Sequence, residues 1–379
     1  MRQRIGSLDL LRGLVMIVMA LDHVRDYFHK DAFLYSPTDM GKTNAVLFFT
    51  RWVTHFCAPV FVFLAGVSAC LYGARRGRKA LAWFLVTRGI WLVFVELFVV
   101  SLLRTFNLSF AFFNLQVIWA IGVGMMVLAG LIYLRREVLL LVAVAFVAGH
   151  NLLDGVHVDG SFVWACLHET KSFCFGHRLV TVKYPVLPWI GIIAFGYFTG
   201  RYYLPDIDAR ARRSRLFTMG VGAIGLFIVL RFVNGYGDPH PRISGSFLSF
   251  FNVTKYPPSL LYALVTLGPA LIFLAMAEGR DWGERVAVFG RTAMFYYLAH
   301  ILLIHVLALA GVVVCGRPLS DMVLTMAVDD QPELKGYGFP LVVVYLIWIG
   351  LLFMLYPLCK WYDGYKRANQ ASKWWLSYI

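Results

Sequence analysis

The chain reads as a succession of apolar runs, each about as long as a bilayer-crossing helix and each closed by a short polar or basic segment. The runs fall at 7–28, 46–71, 81–104, 112–134, 137–153, 185–203, 216–233, 258–277, 286–311 and 339–360. About ten transmembrane helices in one bundle are therefore expected: an all-α polytopic membrane protein, with one domain over 1–379. No low-complexity tract or long linker divides the chain.

Polar positions inside the first run are patterned. Asp9, Arg12, Met16, Met19, His23 and Asp26 recur at steps of three and four, which lays them along one stripe of a helix. Ionisable groups within a span are costly, so they mark functional candidates unless Arg12 snorkels outward and His23 is satisfied within the bundle. At 1.5 Å per residue, Arg12 and His23 stand roughly 16 Å apart along the axis. That is about the reach of an extended pantetheine arm.

Composition agrees with the pattern. Of 379 residues 60% are hydrophobic and only 15% charged, which excludes an ordinary soluble protein. The net charge of +14 sits in short loops, as the positive-inside rule expects, so it is no nucleic-acid footprint. Arg2 and Arg4, Arg75 to Lys79, Arg135-Arg136, Arg210 to Arg215, and Lys360 with Lys366, Arg367 and Lys373 all fall on one side, which puts both termini in the cytoplasm. The first run lacks a small-residue cleavage site and reads as a retained span, not a signal peptide. Of six cysteines, Cys57 and Cys70 suit packing in a span, and Cys166 and Cys174 share one loop where an oxidising compartment would allow a disulfide. Cys166, His168, Cys174 and His177 match no standard zinc spacing, and no metal is expected.

Depth sorts the remaining polar residues. Counting from the basic side puts Arg12, Arg88 and Arg291 roughly 7–11 Å in, and His23, Glu96 and His300 at roughly 21–24 Å. His55 reaches a similar layer on the second run. Guanidinium suits phosphate, and imidazole with a neighbouring carboxylate suits proton transfer. The layout fits a phosphate-bearing cofactor held by Arg12, Arg88 and Arg291, with its thioester reaching a catalytic group drawn from His23, Asp26, Glu96 and His300. His305 shares a face with Arg291 and is the alternative to His300, while Glu96 is equally placed to neutralise Arg88. Val182-Lys183-Tyr184-Pro185 and Thr254-Lys255-Tyr256-Pro257 open two runs alike, which makes Lys183, Tyr184, Lys255 and Tyr256, with His55, candidates for substrate binding or plain interface anchors.

Ser7-Leu8-Asp9-Leu10-Leu11-Arg12-Gly13, followed by Asp22-His23-Val24-Arg25-Asp26, resembles the opening of the heparan-alpha-glucosaminide N-acetyltransferase catalytic-domain family in its bacterial branch. Arg12 and His23 also look like the Arg/His signature of the related acyltransferase-3 membrane enzymes. Further likenesses are Ala58-Pro59-Val60-Phe61-Val62-Phe63-Leu64-Ala65-Gly66, Tyr184 to Gly191, Lys255-Tyr256-Pro257-Pro258-Ser259, and Gly290 to His300. The resemblance implies an enzyme of the bacterial inner membrane that takes acetyl from cytosolic acetyl-CoA. It would deliver the group to a carbohydrate amine or hydroxyl on the opposite face, with the His of the first span as base. Lysosomal members carry Asn at the position of His23 and place their His later, which makes His29 the alternative base. Outside this resemblance, a transporter with buried charges lining a substrate or proton path is the competing class.

Overall fold

The computed structural model describes residues 5–279, 283–370 and 372–377. Arg2 and Arg4, used above for orientation, lie outside the described residues. The helices are α1 (Gly6–Phe28), α2 (Ala45–Trp52), α3 (Cys57–Arg76), α4 (Arg78–Phe94), α5 (Ser101–Thr105), α6 (Val117–Leu131), α7 (Arg136–Ala148), α8 (Phe162–Leu167) and α9 (Val186–Gly200). They continue with α10 (Ala209–Val233), α11 (Phe247–Phe251), α12 (Leu260–Ala277), α13 (Glu284–Arg291), α14 (Ala293–Val314) and α15 (Leu341–Asn369). Among the described residues there are also three strands, β1 (Phe112–Leu115), β2 (Lys171–Phe175) and β3 (Arg178–Val182).

A helix stands at each of the ten apolar runs, but among the described residues six segments are long and apolar enough to cross a membrane: Ala45–Arg76, Arg78–Thr105, Ala209–Val233, Leu260–Ala277, Ala293–Val314 and Leu341–Asn369. The difference from ten has two physical sources. Helix α1 carries Asp9, Arg12, Asp22, Arg25 and Asp26, too many charges for an apolar window. Helices α6, α7 and α9 have 15, 13 and 15 residues, and at 1.5 Å per residue each falls short of a hydrocarbon core of about 30 Å. The run at 286–311 also breaks, at Thr292, into α13 and α14.

The chain is mostly helical, as the all-α expectation has it, with one addition that the expectation lacks, a small sheet of order β1-β3-β2. β1 pairs in parallel with β3, and β2 and β3 form an antiparallel hairpin. Hydropathy hid β1, whose Phe-Phe-Asn-Leu merges into the apolar run of α6. The sheet positions the cavity wall: Lys183 and Tyr184, just past β3, both donate their backbone N–H to Leu115 O.

Pairs α3–α9, α4–α6, α10–α12 and α1–α13 make the principal helix contacts. Backbones approach closely at glycine. A Cβ on Gly290 would lie 2.0 Å from Asp9 O, and one on Gly13 would lie 2.1 Å from Val286 O, so α1 and α13 touch main chain to main chain. Helices α10 and α15 present Val229, Phe232, Val342 and Phe353 outward, the expected surface for lipid tails.

Candidate active site

Helix α1 is unbroken from Gly6 to Phe28, so the stripe predicted from its spacing exists as one helix face. Two cavities open along it. The larger, about 840 Å³, is lined by Asp22, His23, Asp26, Arg51, His55 and Arg104, among others. The smaller, about 390 Å³, is lined by Arg12, Ser68, Tyr72, Arg88, Arg291 and Lys366, among others. Met19, Phe61 and Val117 belong to both walls. The cavities adjoin across these three side chains.

His23 sits at the centre of a hydrogen-bonded chain. Arg104 Nη2 lies 3.0 Å from His23 Nε2, and His23 Nδ1 lies 2.8 Å from His300 Nε2. A guanidinium only donates, which assigns the tautomers. His23 Nε2 accepts from Arg104, His23 Nδ1–H donates to His300 Nε2, and His300 Nδ1–H donates to Tyr296 O at 3.0 Å. The two imidazoles stack with centroids 5.0 Å apart, and His300 is fully buried.

Sequence spacing gave no reason to single out Arg104. It ends the long rod Arg78–Thr105, after a π-helical stretch at Val95–Val100. That stretch adds residues to the turn, so faces downstream no longer follow from a regular 3.6-residue period. Tyr27 donates to Arg104 O at 2.5 Å and fixes the end of the rod against α1. His305 supports the same turn from behind, lying 3.0 Å from Leu103 O and 2.8 Å from Met322 O, with its ring stacked on Phe106 at 3.8 Å.

The carboxylates take other duties. Asp22 accepts from Arg25 at 2.9 Å and from Arg51 at 2.7 Å, and Asp26 accepts from Arg25 at 2.6 Å. Asp26, one of the catalytic candidates, does not orient the imidazole, since Arg104 and His300 engage both ring nitrogens of His23, and it remains on the cavity lining as a group that could meet the acceptor. Glu96 lines neither cavity. Buried in the π-helical stretch, it accepts from Trp119 N–H at 3.0 Å and so caps the start of α6. His29, at the end of α1, is buried, lies outside both cavity walls and faces Asp31 at 3.9 Å.

The two Lys-Tyr-Pro openings converge on one wall of the larger cavity. Tyr184 and Tyr256 meet edge to face at 5.2 Å, while Lys183 and Lys255 lie 4.9 and 5.2 Å from the Tyr256 ring centre. His55 lies on the same lining, with Nδ1 3.1 Å from Arg51 O.

Around the smaller cavity, Arg12 pairs with Asp9 at 3.0 Å, donates to Gly290 O at 3.3 Å and reaches Ser68 at 3.4 Å. Arg291 pairs with Glu284 at 2.7 Å and Asp363 at 2.9 Å. Arg88 approaches the Phe84 ring at 6.0 Å. The three guanidiniums predicted at one depth thus border one space.

The arrangement therefore sets a pair of imidazoles, His300 buried and His23 partly exposed, beside a guanidinium in one cavity, and clusters guanidiniums in the next. Residues 4–229, more than half of the chain, match the family model described as Heparan-alpha-glucosaminide N-acetyltransferase, catalytic. The matched segment contains Arg12, His23, Arg88 and Arg104, whereas His300 and Arg291 lie beyond it. No curated protein matches the chain.

Proposed function

Given that the chain belongs to the heparan-alpha-glucosaminide N-acetyltransferase catalytic family, we propose that it moves acetyl from cytosolic acetyl-CoA to a carbohydrate amine or hydroxyl on the opposite face of the membrane. The supporting observation is the pair of adjoining cavities on α1, with Arg12, Arg88 and Arg291 around one and His23 in the other. Guanidiniums match the phosphates of the donor, and the space between Arg12 and His23 suits its pantetheine arm. In this reading all ten apolar runs lie within or across the bilayer, with both termini cytoplasmic.

The acceptor enters the larger cavity against Lys183, Tyr184, Lys255 and Tyr256, with His55 on the same lining. Its hydroxyl, or its amine in the neutral form, gives a proton to His23 Nε2 as its oxygen or nitrogen attacks the thioester carbonyl. Arg104, displaced from the imidazole, faces the oxygen on which negative charge collects. His300 accepts from His23 Nδ1–H and keeps the imidazolium oriented. The carbon–sulfur bond then breaks, and the proton held by His23 passes to the departing thiolate.

Purified full-length protein is expected to bind acetyl-CoA by calorimetry. Arg12→Ala should weaken that binding by about tenfold or more, since a charge-assisted contact is worth about 1.5–3 kcal/mol, while its helical content is unchanged. Folded wild-type protein that shows no acetyl-CoA binding would remove this reading and leave the buried charges to a transport path.

A further inference from the structure

We propose that His150, Asp154 and His168 form a binding site for one divalent transition-metal ion of the zinc class, separate from the two cavities on α1. One ligand atom from each lies within 4.8 Å of those of the others. The residues come from two short elements, the turn that follows α7 and the end of α8. They are not the Cys166, His168, Cys174 and His177 set that loop spacing offers. Among those, Cys166 and Cys174 are unbridged thiols and His177 is exposed at the turn of the β2–β3 hairpin.

Three observations point to a ligand. First, His150 is 3% exposed, and neither of its ring nitrogens makes a hydrogen bond of full geometry among the described residues, the Pro258 backbone offering the ring a weak contact at most. A buried imidazole with both nitrogens idle is unfavourable unless something else occupies one of them. Second, His168 is equally buried, its Nδ1 is also without a partner among the described residues, and its Nε2 lies 3.3 Å from Asp154 Oδ1. Ligands about 2.0–2.1 Å from a tetrahedral ion are about 3.3 Å from one another. That edge is already in place. Third, the outer support that metal sites need is present: Asn151 Nδ2 donates to Asp154 Oδ2 at 2.8 Å, and Asn151 Oδ1 accepts from Leu260 N–H at 2.9 Å.

Two imidazoles and a carboxylate form the donor set of zinc and its neighbours, not of calcium or magnesium. A bound ion takes the place of the proton between His168 and Asp154. The fourth position falls to water, since Asp154 is the one ligand of the three that is only half-buried. The ion would cross-link the turn after α7 to His168, three residues before β2, and so pin the hairpin that leads into Lys183 and Tyr184 on the cavity wall. None of this depends on the acyl-transfer reading.

Full-length protein without a polyhistidine tag, purified in detergent, exposed to zinc chloride and dialysed against metal-free buffer, is expected to retain about one zinc per chain by elemental mass spectrometry. Asp154→Asn should weaken zinc binding about tenfold or more, and a His150→Gln, His168→Gln double variant should retain less than about one-tenth of a zinc per chain. A chelator should lower the Tm of the wild type, and added zinc should restore it, with the double variant indifferent to both. Wild-type protein that keeps its helical circular dichroism, yet retains no zinc and shows a Tm blind to chelator and zinc, overturns the proposal. So does a double variant that holds as much zinc as the wild type. The chelator arm decides the matter on the wild type even where a variant fails to fold.

Discussion

At Nε2 His23 meets a guanidinium 3.0 Å away, so in the proposed reaction the lone pair that a base needs is occupied until an acceptor group displaces Arg104. The other nitrogen is held by a fully buried His300, which fixes the ring and leaves Nε2 as the working atom. A positioned base contributes about 10²–10⁴-fold, so His23→Ala is expected to cut acetyl transfer by that order with acetyl-CoA affinity kept. His29→Ala should do far less, because His29 lies outside both cavity walls. Both variants belong in one transfer assay on isolated membranes; a dead His29→Ala beside an active His23→Ala would move the base to His29. The helical stripe made Arg12, His23 and their separation legible in the sequence, since regular spacing on one unbroken helix carries straight into space. Arg104 was not legible: at the end of an apolar run a basic residue reads as a boundary marker, and the π-helical stretch before it alters the face it occupies. Glu96 misled for the opposite reason. Depth placed it among the imidazoles, whereas its carboxylate faces the free N–H groups at the start of α6.

Between elements, the contact that matters most for the proposed donor site is α1 against α13. Gly13 and Gly290 let the two backbones meet, and that meeting brings Gly290 O to Arg12. A Cβ on Gly290 would stand 2.0 Å from Asp9 O, a main-chain atom that cannot rotate away, so the helices must part to admit it. Overpacking of this kind costs about 1–3 kcal/mol. Gly290→Ala is therefore expected to lower the thermal midpoint in detergent and to weaken acetyl-CoA binding, whereas Gly350→Ala, with open space around it, should leave both unchanged. Equal stability of Gly290→Ala and wild type would show that the helices slide apart freely. The positions of the helices were legible in hydropathy, because each must bury or immerse an apolar face. The sheet was not, because β1 has only four residues and abuts α6, and β2 and β3 pair with partners distant in sequence or across a short turn. Nor was the break at Thr292, which lies inside a continuous apolar run.

Across the whole molecule, the proposed transfer depends on whether the two cavities communicate. Arg12 and His23 share one helix, but Met19, Phe61 and Val117 stand between the spaces that the two residues line. Met19 lies on the same stripe, is buried, and has the most flexible side chain of the three, which suits it to yield to a narrow thioester arm. A rigid and larger group at that point should close the passage without touching the phosphate-binding side or the imidazoles. Met19→Trp is thus expected to retain most acetyl-CoA affinity while transfer to an external acceptor falls about 10²-fold or more, the scale of loss that misplacing reacting groups produces. Met19→Leu, which keeps volume and polarity, should transfer nearly as well as the wild type. The informative pairing is calorimetric binding with acetyl transfer in the same preparations: if Met19→Trp binds and transfers normally, the arm follows another route through the bundle, and α1 does not carry the path between the two cavities.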